Sequence, residues 1–425
     1  MFHQLLEEKG MRTKPWLWLT ALALLPATAV PVLGQPRPVG TEFRVNGNTE
    51  SKQRNPAAAY NAAGTALVVW ENEQNGLRGR FYGRDGAPLT GELALVANQK
   101  LPGVPAHGVE VVRKDPAVAF LGSGEFLLAW TEERSNVRVD IFIEQRDVID
   151  RDVYLQKFSA AGSPLGAPVR LNGATAGYQS VPRILVRNNA DAVVVWQSQK
   201  GGGNNGVFGR FVRASGVPNG GDFRIASGAG AASPAIAGKP NGDFLVAWEA
   251  GDGNSLGVFA RIFDGAAGAP FRVNTDVAGL QRRPAVTSDG AGWLVVWQGQ
   301  TNTWRQAAIF GQFLGEAGNL VGPQFRVSNG VGPTQIAPSV AASKGGNFLV
   351  TWLDYKDVFP LGLFGVEIDK LGNRIGSEVE LNSRPVNSQF RTSLAVSPFG
   401  GVLAPWEGFT SSDERPDIAA RRVEF

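Results

Sequence analysis

The chain has 425 residues, of which 43% are hydrophobic and 19% are charged, and its formal net charge is +3. Because the charges are close to balance and form no basic block, nucleic acid is not expected as a partner. The chain has no cysteine, which excludes disulfides and a thiol nucleophile. An exported form would therefore be stabilised by its core alone.

The first 34 residues have the pattern of a secretory signal peptide. From Met11, the basic residues Arg12 and Lys14 precede an apolar run of about ten residues, which ends in small residues suited to cleavage. Cleavage is predicted after Ala29 or Gly34, and Met11 is an alternative start. The apolar run is too short to span a membrane comfortably. We expect an exported protein, periplasmic or extracellular, with no membrane span once the signal is removed.

A tryptophan-containing segment recurs along the rest of the chain. In its fourth copy it reads G-D-F-L-V-A-W-E, residues 242–249. The equivalent tryptophans are Trp70, Trp130, Trp196, Trp248, Trp297, Trp352 and Trp406. Their mean spacing of about 56 residues indicates a repeat architecture.

Each repeat has the pattern of four short strands, which we name a, b, c and d. In the fourth repeat they occupy residues 234–237, 243–249, 257–264 and 270–274, separated by turns that contain Gly, Asn and Asp. Strand b is almost entirely apolar, so both of its faces should be buried between neighbouring sheets. Seven such units predict an all-β protein, a seven-bladed β-propeller of four-stranded antiparallel blades that occupies residues 41–425 as a single domain.

The two ends of the chain predict how the ring of blades closes. Residues 42–46 form a lone d-type strand, and residues 421–425 form a c-type strand with no d strand after it. The N-terminal strand is therefore predicted to complete the last blade.

The repeat pattern G-x-F-L-V-x-W, G-x-F-x-R-x-F and F-R-V-N resembles the repeats of exported bacterial seven-bladed β-propeller proteins, which are largely uncharacterised. The resemblance covers nearly the whole chain after the signal segment. It implies the fold, and it implies no particular function. Such repeats often occur beside calcium-binding toxin-type nonapeptides, which this sequence lacks.

The residue after the repeated tryptophan is a Glu in three repeats, and strand c of the same three repeats carries an Arg. This coincidence predicts three structural cross-strand pairs: Glu71 with Arg80, Glu249 with Arg261, and Glu407 with Arg421. A carboxylate that is repeated in three blades beside an Arg stays ionised, which suits general acid catalysis poorly. We therefore assign no catalytic residue, and we interpret the tryptophans as packing between blades.

Loop variation is concentrated in the b–c and d–a loops, which emerge on one face of a propeller. Binding loops on a rigid scaffold are arranged in this way. A Gln lies before strand a in five repeats: Gln53, Gln179, Gln281, Gln335 and Gln389. These residues are predicted either to form a ring that binds a ligand at the channel mouth or to hold the loops through hydrogen bonds to the backbone.

The second repeat departs from the pattern in both of its loops. Its d–a loop contains His107, the one histidine after the signal segment, followed by Arg113 and Lys114. Its long b–c loop alternates apolar and polar residues, which predicts an extended hairpin. The charged residues of this hairpin proposed to contact a ligand are Arg138, Asp140 and Glu144. A partner-docking edge is one interpretation; a metal site is weaker, because the interleaved arginines favour a self-paired surface.

Four aromatic residues outside the repeat pattern lie in b–c loops: Trp304, Tyr355, Phe359 and Phe409. Exposed rings can stack on sugars or anchor a protein partner, whereas buried ones would pack against the next blade. Of these, Trp304, Tyr355 and Phe359 are predicted to contact the ligand.

Together these patterns predict an exported binding module that presents its b–c and d–a loops to a protein or glycan ligand. The sequence contains no His cluster, phosphate-binding loop or nucleophile motif, so no metal or cofactor is predicted, and a binding module is favoured over an enzyme. Two alternatives stay open. One is a carbohydrate-active hydrolase or lyase with a carboxylate site at the channel mouth, and the other is a structural subunit of an envelope or cell-surface assembly. We expect a monomer or a subunit of a larger complex.

Overall fold

The computed structural model describes residues 35–101, 107–139, 144–175, 177–188, 191–199, 205–228, 230–300, 307–329, 334–343, 345–355, 361–383, 392–408 and 415–425. The predicted signal peptide lies outside these ranges. Within them all the regular structure is β-strand. Across the described residues, no helix has the length and apolar character needed to cross a membrane.

The described strands, in chain order, are β1 (Arg37–Arg44), β2 (Gln53–Tyr60), β3 (Ala66–Asn72), β4 (Gly76–Tyr82), β5 (Leu93–Val96), β6 (Gln99–Leu101), β7 (His107–Phe120), β8 (Phe126–Val139), β9 (Glu144–Phe158), β10 (Val169–Arg170), β11 (Tyr178–Arg187), β12 (Asp191–Gln199), β13 (Gly206–Val212), β14 (Pro218–Ser227), β15 (Ala232–Gly238), β16 (Phe244–Gly251), β17 (Leu256–Phe263), β18 (Phe271–Arg272), β19 (Gln281–Ser288), β20 (Trp293–Gln300), β21 (Ala307–Leu314), β22 (Leu320–Arg326), β23 (Thr334–Ala342), β24 (Phe348–Tyr355), β25 (Leu361–Ile368), β26 (Arg374–Glu380), β27 (Ala395–Val396), β28 (Val402–Gly408) and β29 (Asp417–Glu424).

The strands form antiparallel four-stranded sheets in the order a–b–c–d that the sequence predicts. The first sheet is β2-β3-β4-β5 and the fourth is β15-β16-β17-β18. The third, fifth and sixth sheets are β11–β14, β19–β22 and β23–β26. The second sheet, β7–β10, gains the short strand β6 on the free edge of its strand a. Single parallel contacts, Tyr178 with Arg151 and Thr334 with Ala307, join neighbouring sheets.

The last sheet combines both ends of the described chain. Its order is β27-β28-β29-β1, so the first strand occupies the d position beside the last strand, with Phe43 opposite Ala420. Just after β1, the side chain of Asn46 donates to Asp417 at 2.7 Å and accepts from the Ile418 amide at 2.8 Å. The d-type strand predicted at residues 42–46 therefore lies in the last sheet.

The strand-b tryptophans are buried between neighbouring sheets, as the sequence predicts. Trp70 of the first sheet lies in one apolar cluster with Leu403 of the last sheet, and Trp130 of the second lies with Leu67 of the first. Five further clusters join the second sheet to the third, the third to the fourth, the fourth to the fifth, the fifth to the sixth, and the sixth to the last. Burial of one large apolar side chain contributes about 1.5–3 kcal/mol, so these interfaces are the main source of stability.

The Asn of the F-R-V-N motif ties strand d to strand c within a sheet. The side-chain oxygen of Asn172 accepts from the amide of Val153 at 2.7 Å, and that of Asn274 accepts from Val258 at 2.8 Å. A buried amide without an acceptor is costly, so a short polar side chain at this position satisfies strand c where it begins.

Each well-described strand a carries a β-bulge near its start. The bulged residue precedes a proline and adopts a left-handed conformation, with φ between 50° and 56°. These residues are Asn55, Asp115, Val181, Ser233, Arg283 and Ala337. Such a conformation costs a non-glycine residue roughly 1–3 kcal/mol, so another contact must stabilise it. That contact lies on the face that carries the long loops.

Candidate functional site

The b–c loops and the d–a connections lie on one face of the sheets, which we call the loop face. The a strands begin on this face, and the a strands of successive sheets contact one another, including β2 of the first sheet and β27 of the last. We call the region beside the starts of the a strands on this face the mouth. The bulged residues lie at its edge.

In five sheets the residue after the repeated tryptophan accepts a hydrogen bond from a bulged residue of the following sheet. The side chain of Leu353 has no acceptor atom, and the Oε1 of Gln298 makes no hydrogen bond to any described residue. Glu249 accepts from the Arg283 amide at 2.7 Å, and Glu71 accepts from the Asp115 amide at 2.5 Å. The last sheet bonds to the first in the same way, because Glu407 accepts from the Asn55 amide at 3.2 Å. We call these bonds the latches. Two uncharged latches have the same geometry: Val181 to Thr131 at 3.1 Å and Ser233 to Gln197 at 2.9 Å.

The predicted cross-strand pairs between Glu and Arg are wrong. In the b–c register Glu249 is opposite Val258, whereas Arg261 is opposite Val246, three residues away along strand b. Glu71 with Arg80, and Glu407 with Arg421, are offset in the same way.

The strand-c arginines instead bond to backbone carbonyls. The Nε of Arg261 donates to the Gly268 carbonyl at 2.6 Å, and Nη1 of the same residue donates to Ile225 of the preceding sheet at 3.2 Å. Arg80 and Arg421 make equivalent bonds, to the carbonyls of Val45 and Leu381. The Glu and the Arg both join neighbouring sheets, each through a different partner.

The described glutamines are buried and hold the tryptophans. The Oε1 of Gln53 accepts from the Trp70 indole at 2.8 Å, and Gln281 accepts from Trp297 at 2.8 Å. Gln179 does the same with Trp196, whereas Gln335 bonds to Ser328 and Asp354. Gln53 and Gln281 also donate to nearby loop carbonyls, as the loop-holding interpretation predicts. Because their side chains are at most 2% exposed, these four residues do not form a ring that is open to a ligand.

In the second sheet Arg113 replaces the glutamine. Its side chain is 6% exposed and pairs with Glu132 at 3.1 Å instead of with the tryptophan. The Nε1 of Trp130 makes no hydrogen bond to any described residue. The predicted ligand contact Arg113 is therefore part of a buried ion pair.

The second sheet rises above the rest of the loop face. Its strands β7, β8 and β9 are 14, 14 and 15 residues long, against seven to ten for the same strands of the first sheet and of the third to sixth. About six extra residues per strand correspond to roughly 20 Å. We call residues 107–114, 132–139 and 144–152 the extension. Continuous β8–β9 pairing up to Val139 and Glu144 confirms the predicted hairpin.

The charges of the extension pair with one another on both of its flanks. On the flank toward the third sheet, Glu133 accepts from Lys114 at 2.6 Å and from Arg151 at 2.7 Å. Although burial opposes ionisation, these two cations hold the pKa of Glu133 below its usual value. Near the tip, Arg138 lies 3.6 Å from Asp147. In the described residues no group of three or more His, Asp and Glu could hold a metal ion.

The flank toward the first sheet carries a phenol beside mixed charges. The Arg134 guanidinium lies 3.4 Å from the Tyr154 hydroxyl, 3.4 Å from Glu132 and 3.9 Å from Asp150. Burial raises the pKa of Asp150, and the neighbouring Asp152 raises it further. Burial also raises the pKa of Tyr154, so its hydroxyl stays protonated at neutral pH. This flank therefore presents a phenol hydroxyl, a carboxyl group and a guanidinium to the space above the first sheet.

Exposed cations lie around the mouth. Arg54 and Arg282 occupy equivalent positions, one residue before the bulge, and their side chains are 47% and 45% exposed. Each lies near the latch carboxylate behind it: Arg54 is 4.0 Å from Glu407, and Arg282 is 3.9 Å from Glu249. Arg283, on the bulge itself, is also exposed. Sequence reasoning missed all three, because it compared strand b with strand c and not with the next strand a.

Several predicted ligand contacts fall outside what the structure describes. Residues Asp140, Trp304, Phe359, Phe409 and Gln389 lie outside the described ranges. The backbones of His107, Glu144 and Tyr355 are in strands, and their side chains are outside the described part. These residues stay predictions.

No protein-family model and no curated protein matches the chain. Solved structures do match it. A protein of unknown function from Dyadobacter fermentans aligns over 93% of this chain and 100% of its own, at 13% identity and a TM-score of 0.53. An ulvan lyase of a new polysaccharide lyase family aligns over 91% and 96%, at 11% identity and a TM-score of 0.57. NanB, in complex with Optactamide, aligns over 81% and 71%, at 7% identity and a TM-score of 0.51. At these identities the likeness is one of fold, and it supports a β-propeller architecture.

Proposed function

We propose that the chain is an exported seven-bladed β-propeller that binds a glycan on its loop face, in the angle between the extension and the mouth. Seven blades and a closed ring are supported by the strand β1 in the last sheet, by the Glu407–Asn55 latch, and by the apolar cluster that joins the first and last sheets. Neighbours of known activity that share the fold include an ulvan lyase solved with a bound saccharide, which favours a glycan over a protein as the ligand.

The observation that carries the proposal is the extension. The latches make the scaffold rigid and nearly uniform, and one sheet alone rises by roughly 20 Å beside the mouth. On its flank toward the third sheet, the Arg151 guanidinium lies 4.9 Å above the Tyr178 ring. Because Glu133 also bonds to Arg151, the ring and the guanidinium are held as one surface, which a sugar can contact through the rest of the ring and a remaining N–H of Arg151.

Shortening the extension tests the site. Ser135 is paired with Val148, so replacing residues 136–147 by Asn-Gly leaves a two-residue hairpin turn. We expect at least a tenfold loss of affinity for the glycans that the full chain binds on a glycan array, with thermal stability kept. A Gly-Ser insertion after Gly265, in a c–d turn of the opposite face, is the matched control.

A second variant protects the test against a folding defect. Tyr178→Ala removes the ring beside Arg151 and leaves the hairpin in place. If both variants bind glycans like the unmodified protein, the site is wrong. If the unmodified protein binds no glycan on the array, the function is wrong.

An enzymatic function, as a carbohydrate-active hydrolase or lyase, is the second candidate. It is favoured by the ulvan lyase with the same fold, and by the cluster of Arg134, Asp150 and Tyr154, in which a phenol hydroxyl and a carboxyl group lie near one guanidinium. The latch carboxylates do not support it, since each accepts from a backbone amide. Release of reducing ends or of unsaturated product from anionic and neutral polysaccharides tests it. Tyr154→Phe and Asp150→Asn should then each lower the rate by about 100-fold or more without loss of binding.

A further inference from the structure

We infer that the mouth selects anionic glycans, sugars that carry carboxylate or sulfate groups, through the guanidinium groups of Arg54, Arg282 and Arg283. This inference rests on the proposed glycan function and names its ligand class. None of the three residues belongs to the extension. They come from the first and fifth sheets, so they approach the mouth from different sides.

The arginines are positioned by the latches. Glu249 uses one carboxylate oxygen to accept from the Arg283 amide at 2.7 Å, and its other oxygen lies 3.9 Å from Arg282. Glu407 divides its two oxygens in the same way between the Asn55 amide at 3.2 Å and Arg54 at 4.0 Å. Two sheets that are far apart in the chain thus repeat one arrangement.

The separations of 3.9 and 4.0 Å are too long for hydrogen bonds. The buried carboxylates therefore attract the guanidinium groups without using their donors at close range. The carboxylates are 6% and 4% exposed in their side chains, whereas the arginines are 45% and 47% exposed. A ligand in the mouth would meet guanidinium donors before it met a carboxylate.

Arginine suits this ligand class for a geometric reason. Its planar group of donors matches the two oxygens of a carboxylate or sulfate, and such charge-assisted bonds are stronger than bonds to neutral hydroxyls. Arg54 and Arg282 lie one residue before the bulge, a position that is neutral in the third, fourth and sixth sheets. The second sheet has Lys114 there, and this cation bonds to Glu133 at 2.6 Å. Among the described sheets, arginine at this position is therefore confined to the first and the fifth.

The test uses the full chain, purified in its exported form, and three immobilised polysaccharides: polygalacturonate, dextran sulfate and neutral dextran. We expect binding to one or both anionic polymers, and at least tenfold weaker affinity for dextran. The affinity should fall as NaCl rises from 50 to 200 mM, because exposed charges are screened.

A double variant identifies the residues. Arg282→Gln with Arg283→Gln keeps the Arg283 amide in the latch and removes two cations. It should weaken anionic binding at least tenfold and reduce its salt dependence. Arg272→Gln, an exposed arginine on the outer strand of the fourth sheet, is the control and should change neither. Thermal melting of each variant shows whether it has a folding defect. If the double variant has one, the affinity of Arg54→Gln alone for the anionic polymers is the independent measurement.

The outcomes separate the two claims. Equal binding of dextran and the anionic polymers, or anionic binding that the double variant and Arg54→Gln leave unchanged, overturns the anionic selectivity and leaves the glycan function standing. Loss of anionic binding with dextran binding retained in the double variant supports the inference. Binding to none of the three polymers, and to no glycan on the array, overturns both.

Discussion

Replacing Glu249 by alanine should destabilise the protein much more than replacing it by glutamine. The carboxylate is 5% exposed and accepts from the Arg283 amide at 2.7 Å, and Arg283 is held at a φ of 51°. Alanine leaves that amide without its acceptor at a strained residue. A buried donor without a partner costs about 1–3 kcal/mol, so we expect a loss of roughly 2 kcal/mol in the free energy of unfolding.

Glutamine keeps an oxygen at the same place. Gln197 already has this role in the third sheet, where its Oε1 accepts from the Ser233 amide at 2.9 Å. Glu249→Gln loses only the attraction to Arg282, whose side chain is 45% exposed. Exposed ion pairs contribute about 0–1 kcal/mol, so glutamine should cost less than about 1 kcal/mol.

Urea unfolding followed by tryptophan fluorescence measures both variants, with Arg282→Gln as the control for the ion pair. Equal losses for alanine and glutamine would mean that charge, and not hydrogen bonding to the bulge, stabilises the contact. A loss below about 0.5 kcal/mol for alanine would mean that the latch has no structural role, and the account of the repeated Trp-Glu pair would be wrong.

Three further predictions concern other repeated or local contacts. Gln281→Leu removes the acceptor of the Trp297 indole and should cost about 1–3 kcal/mol in urea unfolding, with a changed near-ultraviolet circular dichroism spectrum. Asn274→Ala removes the acceptor of the strand-c amide in the fourth sheet, and urea unfolding should show a similar loss. The pKa of Glu133 is lower in the folded protein than its unfolded value of about 4.3, so the stabilisation by this carboxylate is present above that value and is lost as pH falls through the folded pKa. Glu133→Gln should therefore make the melting temperature depend less on pH in this acidic range. An unchanged dependence of the melting temperature on pH would refute this.

The strands and their order could be predicted because the repeats supply seven versions of the same pattern. Strand b is recognisable as an apolar run, and the turns are recognisable by their Gly and Asn residues. The unpaired d-type strand at the start of the repeats and the c-type strand at their end indicate where β1 pairs. Each of these signals lies within a few consecutive residues or follows from counting the strands along the chain. The hairpin of the second repeat was predictable for the same reason, since alternation has a period of two in any strand.

The contacts of the candidate site could not be predicted in this way. The latch joins Glu249 to an amide 34 residues ahead, and the bulge that exposes this amide has no clear residue preference, since Asn55, Val181 and Ala337 all adopt it. The proline that follows each bulged residue marks the bulge in the sequence, but no side chain marks its amide as the donor to strand b. The side-chain pattern instead suggested strand-c arginines as partners, and a register offset of three residues makes that pairing impossible.

The latch position also explains why acidic residues recur at the mouth without being a catalytic set. Thr131 and Gln197 accept the same backbone bond as Glu249, so the bond needs an acceptor and not a charge, and Leu353 shows that one sheet does without it. Where the acceptor is Glu, in the first, fourth and last sheets, the amide neutralises only part of the charge. The remainder can attract a cation from the next strand a, and Arg54 and Arg282 lie where that attraction is strongest. A structural acceptor thus becomes, in two sheets, the means of placing an exposed guanidinium at the mouth.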